Sequence, residues 1–267
     1  MLYIVPTPIG NLKDLTFRAL DALKEADAVF CEDTRRTLAL LNHYGVTKKL
    51  FRYNEHSERS LSEAMGWLKL GKIVALVTDG GTPCISDPGR KLVALARKNA
   101  IKVDVLPGPS ALITAAAGSG LPVDSFVFLG FLPRSGGKIK KALQSAFGTG
   151  KTVILYESPY RIKKLLALVA AEFGADIQTV LARELTKVYE EWLTGTAQSV
   201  LNDLEKKPAI KGEFVALLRP PLQLQRAACS PVLCGERPPV PEEEPQEDDR
   251  SQMSDVGIQN HEENNTF

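Results

Sequence analysis

Ile73-Val-Ala-Leu-Val-Thr-Asp-Gly-Gly-Thr-Pro-Cys-Ile-Ser-Asp-Pro-Gly89 is the stretch whose reading decides the fold. It opens on the most hydrophobic short run of the chain, Ile73–Val77, which reads as a buried strand. The polar loop Thr78–Gly89 follows at once. In open α/β sheets, ligands bind beyond the carboxyl ends of the strands, where this loop emerges. Gly80 and Gly81 expose backbone N–H groups there, while Asp79, Thr82, Ser86 and Asp87 add oxygen donors and acceptors. A purely structural connection seldom runs so long with so many polar groups.

Working outward, Leu2–Val5, Ala28–Cys31, Val103–Leu106 and Phe126–Phe131 also read as buried strands. Helical patterns lie between them. Thr16–Ala26 places Phe17, Leu20, Leu23 and Ala26 on one face. Ser60–Leu70 does the same with Leu61, Met65 and Leu68, and Arg90–Asn99 with Leu92, Leu95 and Ala96. Strand–helix alternation predicts a mainly parallel sheet covered by helices, an α/β domain over 1–132. The basic, Gly-containing stretch Pro133–Lys141 reads as a boundary. The pattern restarts in 133–219 as a second, smaller α/β domain. Its strands are expected at Thr152–Tyr156, Thr179–Ala182 and Glu213–Leu218, and its helices at Pro159–Phe173 and Ala197–Lys206.

The 267 residues carry 33 Lys+Arg and 32 Asp+Glu, so the net charge is only +1. The balance hides an asymmetry. Residues 1–219 hold 30 basic and 22 acidic side chains, whereas 220–267 hold 3 and 10. A basic body suits a polyanionic partner. The acidic segment 220–267 contains seven of the 17 prolines and little periodic apolar pattern, and is expected to be disordered. No apolar run approaches the ~18 residues of a membrane helix. Met1–Val5 resembles a first strand and lacks the pattern of a signal peptide. Cys31, Cys84, Cys229 and Cys234 form no C-x-x-C pair, and His43, His56 and His261 are scattered. Neither a metal site nor a disulfide framework is expected, and the expected compartment is a reducing cytoplasm.

Two further loops leave strands toward the same rim. In Pro6-Thr-Pro-Ile-Gly-Asn11, Gly10 permits close backbone approach and the prolines stiffen the turn. In Leu106-Pro-Gly-Pro-Ser-Ala111, Ser110 can cap the following helix, and Ala115-Ala-Ala-Gly118 lets that helix approach a neighbour. Three such loops converging favour a small-molecule pocket. Two nucleotide motifs are rejected. No G-x-G-x-x-G follows the first strand. Gly148-Thr-Gly-Lys-Thr152 lacks the first glycine of a P-loop, having Ser145 there, and runs into a strand. Four polar clusters also sit at strand ends: Cys31–Thr37, Tyr53–Glu58, Tyr156–Arg161 and Ala182–Lys187. Any one alone reads as capping plus solvated charge.

These words, in order with Gly130-Phe-Leu-Pro-Arg134, closely resemble the bacterial 16S rRNA (cytidine-2′-O)-methyltransferase family of the tetrapyrrole methylase superfamily. The resemblance covers essentially 1–219. It implies two α/β domains with S-adenosylmethionine in the cleft between them, usually in a homodimer. It implies cofactor contacts from Pro8, Gly10, Asp79, Gly81, Thr82, Ile85, Ser110 and Ala111 on one side. Tyr156, Glu157, Ser158, Ala182 and Glu184 would close from the other. The implied partner is 16S rRNA or the small ribosomal subunit, and the implied product a 2′-O-methylcytidine in the decoding region.

Methyl transfer to a ribose hydroxyl needs in-line positioning and a group to take the proton. Glu55, His56, Asp33, Glu157 and Glu184 are candidates. Arg35, Arg36, Arg134, Lys138, Lys140 and Lys141 are candidates for RNA phosphates. Three departures stand out. Tyr53-Asn-Glu-His-Ser57 replaces the family's Tyr-His-Glu-His-Asn, Tyr160 replaces a histidine, and the acidic segment stands where many members carry a helical module. Competing readings are a methyltransferase acting on a tetrapyrrole or a protein side chain, and a non-catalytic, RNA-binding ribosome-assembly factor.

Overall fold

β4 (Val74–Leu76) occupies the middle of a five-stranded sheet in the computed structural model, which describes residues 1–221. The order is β3 (Lys49–Arg52), β2 (Ala28–Cys31), β4, β1 (Leu2–Ile4), β5 (Val103–Val105), and every pairing is parallel. Such a sheet needs cover on both faces. Leu2, Ile4, Phe30 and Leu76 pack against Met65 and Leu68 of α3 (Glu58–Lys69) and Leu92 and Ala96 of α4 (Arg90–Lys98). On the opposite face, Val5, Val29, Ala75 and Val77 meet Ala19, Ala22 and Leu23 of α1 (Phe17–Glu25) and Leu41 of α2 (Thr34–His43).

The spacing places Leu23 and Ala26 on the buried stripe of α1, with Leu20 partly buried against it, but it misplaces Phe17. Thr16 caps the helix, which turns Ala19, Ala22, Leu23 and Ala26 inward and leaves Phe17 88% exposed. β3 has no counterpart in the sequence reading because it is a short edge strand, Lys-Leu-Phe-Arg. Phe51 holds it by stacking on Phe30, with ring centroids 5.0 Å apart.

The second sheet runs β6 (Phe126–Phe131), β7 (Thr152–Glu157), β10 (Phe214–Arg219), β8 (Gln178–Arg183), β9 (Glu191–Thr196). Only β6 and β7 are parallel; the remaining pairs are antiparallel. Phe126–Phe131, grouped by sequence with the first set of strands, therefore pairs with β7 instead. Its register shifts between Phe128 and Phe131, where Gly130 takes φ +60°. The stretch read as a boundary leads into α6 (Gly136–Phe147), whose Ile139, Leu143, Ala146 and Phe147 supply a buried face that outweighs its two leading glycines.

One face of this sheet is covered by α6, α7 (Ile162–Phe173) and α8 (Ala197–Glu205). The other face is covered by α5 (Ala111–Gly118), which leaves the first sheet after β5. Its Leu112, Ala115 and Ala116 pack on Ile154, Val180, Val215 and Leu217. Gly118 is what lets α5 lie so close. A Cβ there would come within 2.6 Å of the Trp192 ring. The two sheets thus share α5, and the carboxyl ends of the first-sheet strands open beside the second sheet. The expectation of disorder for 220–267 falls outside the described residues from 222 onward.

Candidate active site

The rim is built by backbone fitted to backbone. Thr7 and Gly81 exchange N–H···O bonds of 3.0 and 2.8 Å, and Thr7 Oγ1 donates to the Thr78 carbonyl at 3.0 Å. Thr82 Oγ1 donates to the Pro109 carbonyl at 3.0 Å, which ties the second loop to the third. Side chains have been excluded where these loops meet. A Cβ on Gly108 would lie 2.8 Å from Pro6 Cβ, and one on Gly80 3.2 Å from the Pro8 carbonyl. Gly81 also takes φ +91°. Thr78 Oγ1 is buried at this strand end without a hydrogen-bond partner among the described residues. The glycines let the three loops pack backbone against backbone, and the buried Thr78 hydroxyl is left without a partner among the described residues.

The second half closes on the first loop. Asn11 N donates to Thr186 Oγ1 at 3.1 Å, and a Cβ on Gly10 would collide with the Lys187 stem. Glu184 and Thr186 adopt positive φ, +50° and +63°, to make this turn. Tyr156 reaches toward α5, where the Leu112 N–H bonds it, and burial pushes its hydroxyl pKa up. Ser110, as expected, accepts from the Ile113 N–H at the start of α5, at 3.5 Å.

A cavity of about 480 Å³ opens beyond β2, β3 and β4. Glu32, Arg52, Glu55, His56, Asp87 and Arg90 line it, with Ile85 at its edge. Its acids have different employments. Glu55 accepts the N–H groups of Gly89 at 2.7 Å and Lys91 at 3.1 Å, so its carboxylate caps α4 from a distance. Asp33 caps α2 and is gripped by Arg35, which holds its carboxyl far below the usual range. Asp79 accepts the Asp33 N–H at 3.1 Å and faces Arg36 at 3.3 Å. Asp87 is different. Burial first, then the charges of Glu32, Asp79 and Glu213, raise it from its ordinary 3.8 to about 6. Burial raises Glu32 as well, helped by Asp79 and opposed by Arg36 and Arg52.

The two acids from the second half are also engaged. Glu157 is buried; its Oε1 accepts the Ser158 N–H at 2.7 Å, and its Oε2 lies 3.3 Å from Arg161. That arginine in turn donates to the Leu132 and Pro133 carbonyls. Glu184 accepts Lys187 Nζ at 2.8 Å and the Glu213 N–H at 2.9 Å, and these bonds keep it ionised against the cost of its partial burial. Ala182 is buried in β8.

The structure therefore gathers Glu55, His56 and Ile85 around one cavity, with Asp33, Asp79 and Arg36 beside it. Arg134, Lys138, Lys140 and Lys141 are exposed at and along α6, outside that lining, and Lys140 pairs with Glu172. Sequence reasoning missed Arg52, Arg90 and Glu32 as cavity residues. It noted Asp87 only as one polar group of a loop. The available signal was position, since Arg52 ends β3 and Arg90 starts α4 directly after the polar loop.

Comparison with known proteins follows the same outline. The family described as Tetrapyrrole (Corrin/Porphyrin) Methylases matches residues 1–201. Ribosomal RNA small subunit methyltransferase I of Hydrogenobaculum sp. is 46% identical over 221 residues, covering 81% of this chain and 94% of that protein. Its counterpart in Halalkalibacterium halodurans is 45% identical over 218 residues, covering 81% and 75%. Among solved structures, uroporphyrin-III C-methyltransferase of Thermus thermophilus, complexed with S-adenosylhomocysteine, superposes with a TM-score of 0.57. It covers 81% of this chain and 96% of that one at 19% identity, a likeness of fold.

Proposed function

Because this chain belongs to the tetrapyrrole (corrin/porphyrin) methylase family, we propose that it methylates the ribose 2′-oxygen of a cytidine in the decoding region of 16S rRNA. The methyl donor is S-adenosylmethionine, which supplies an electrophilic methyl group on a sulfonium. The observation that supports the reading is the close fit of the three strand-end loops at Gly80, Gly81 and Gly108, beside the buried Thr78 hydroxyl that has no partner among the described residues. Pro8, Gly10, Asp79, Gly81, Thr82, Ile85, Ser110 and Ala111 would hold the donor from the first half. Tyr156, Glu157, Ser158, Ala182 and Glu184 would hold it from the second.

The protein's share of the chemistry is positioning: rigid loops fix donor and hydroxyl in line, which saves much of the entropy of a bimolecular step. Capping and ion pairing hold Asp33, Glu55, Glu157 and Glu184 in place as parts of that frame. RNA is favoured over a tetrapyrrole or protein side chain by the names of the relatives and by the basic body, including the exposed Arg35, Arg36, Arg134, Lys138 and Lys141. Among the described residues no helix is long and apolar enough to cross a membrane. We propose a cytoplasmic homodimer, in keeping with the family resemblance.

The test supplies the purified protein and S-adenosylmethionine to small ribosomal subunits from cells lacking the modification, then maps ribose methylation. A single new 2′-O-methylcytidine in the decoding region is expected. Methylation elsewhere, or none despite donor binding, would reject the reading.

A further inference from the structure

We infer that Asp87 is the group that takes the proton from the ribose 2′-hydroxyl, and that Arg52 and Arg90 hold phosphates of the strand bearing that nucleotide. The inference rests on the proposed methyltransferase reading and names the substrate pocket within it. That pocket is the cavity of about 480 Å³ beyond β2, β3 and β4, continuous in sequence with the loop Asp79–Ile85 that faces the donor.

Elimination and geometry agree. A proton acceptor needs a free oxygen facing the substrate. Glu55 spends both carboxylate oxygens on the N–H groups of α4. Asp33 is locked to Arg35, Glu184 to Lys187, and Glu157 to Arg161 and its own neighbour's N–H. Each of these carboxylates is committed to a structural partner. Of the carboxylates lining the cavity, only Asp87 and Glu32 accept no hydrogen bond from any described residue, and they share that lining with the His56 ring. Burial and Asp79 raise Glu32 as well, but the cations Arg36 and Arg52 oppose that rise.

At Asp87 no cation opposes the rise. Glu32 and Asp79 face it from the first sheet and Glu213 from the start of β10. Tyr156 of β7 and Cys84 of its own loop sense its charge, while Glu55, His56, Arg52 and Arg90 complete the lining. Its carboxyl, raised to about 6, is ionised at pH 7 yet basic enough to capture a proton as the bond forms.

The step balances. The 2′-oxygen forms its bond to the methyl carbon while the carbon–sulfur bond breaks with its electron pair left on sulfur. The sulfonium becomes a neutral thioether, and the hydroxyl proton passes to an Asp87 carboxylate oxygen. The guanidinium groups of Arg52 and Arg90 make no ion pair or hydrogen bond with any described residue, although carboxylates line the same cavity. Free guanidiniums at the mouth of a nucleotide-sized cavity suit phosphate oxygens. Arg52 also lines an adjoining cavity of about 420 Å³ with Arg59, which extends the cationic track along the surface.

The experiment compares wild type, Asp87→Asn, Asp87→Glu and Arg52→Ala/Arg90→Ala by single-turnover methylation of unmodified small subunits between pH 5 and 8. Donor and subunit affinities are measured in parallel. The wild-type rate should rise tenfold per pH unit below about 6 and level off above it. Asp87→Asn should lose about 10²–10⁴-fold and the inflexion, with donor affinity within about threefold. Asp87→Glu should recover part of the rate with a displaced inflexion. The double arginine variant should weaken subunit binding and flatten its salt dependence. Carboxyl NMR of the donor-free protein, labelled at aspartate, should show one resonance titrating near 6 that Asp87→Asn removes. An active wild type with Asp87→Asn within threefold of it, or with an unchanged inflexion, overturns the inference. A wild type that binds donor but methylates no subunit overturns the function itself.

Discussion

Replacing Asp87 by Asn should make the protein more stable at neutral pH and leave it unchanged in acid. The folded state raises this carboxyl from 3.8 to about 6, chiefly by burial and then by Glu32, Asp79 and Glu213. The fold therefore prefers the protonated form. Its contribution to stability is complete below 3.8, declines as pH rises, and is lost once pH passes about 6. At 1.36 kcal/mol per pH unit, the difference amounts to a ceiling of about 3 kcal/mol. Solvent reaching the cavity and relaxation of neighbouring charges reduce this to about 1–3 kcal/mol. A neutral amide of the same shape escapes the penalty. For a body of this size each kcal/mol moves Tm by about 2–4 °C, so the variant should melt several degrees higher at pH 7.5. At pH 4.5 about a third of the gap should remain, because the unfolded carboxyl is still largely ionised there, and only below 3.8 should it close. Calorimetry at the two pH values makes the comparison. An equal offset at both, or a lower Tm for the variant at pH 7.5, would refute the electrostatic reasoning. A more stable but catalytically crippled variant is the expected combination at a site that holds unfavourable charge for its chemistry.

Glu55→Ala should cost about 1–3 kcal/mol in urea denaturation, because the Gly89 and Lys91 N–H groups lose their acceptor. Glu55→Gln should cost less, and a loss below about 0.5 kcal/mol for Ala would mean that water replaces the cap. Gly118→Ala should destabilise by about 1–3 kcal/mol and shift tryptophan emission, since a Cβ meets the Trp192 ring at 2.6 Å. Unchanged emission would show that the helix moves instead.

How much of this was legible depended on the range of the forces involved. The strand Ile73–Val77 and the loop after it announce themselves locally, as do the helix caps at Thr16 and Ser110. Edge strands do not. β3 and β9 are held by partners supplied elsewhere: Phe51 by the Phe30 ring, and Trp192 by Gly118 and the Glu190 carboxylate. Phe17 misled the reading of α1 because helical spacing fixes a periodicity, not which face meets the sheet. α6 was hidden by Gly136 and Gly137, whose poor propensity is overridden by the buried face behind them.

The candidate site was legible as a set of words and illegible as a division of labour. Asp33, Glu55, Glu157 and Glu184 all stand at strand ends among polar neighbours, which is where a base is sought. Their tasks are set by partners a sequence does not rank: two amide groups of α4, Arg35, Arg161 and Lys187. Each of those partners occupies a carboxylate oxygen that would otherwise be open to a substrate. Asp87 is tuned the other way, by burial and by three carboxylates arriving from β2, β4 and the start of β10. Burial contributes most to that rise, and Glu213 from the second sheet adds the smallest part. The same positions that make a carboxylate easy to hold make it a poor proton acceptor, so a rim with many acids can still depend on one.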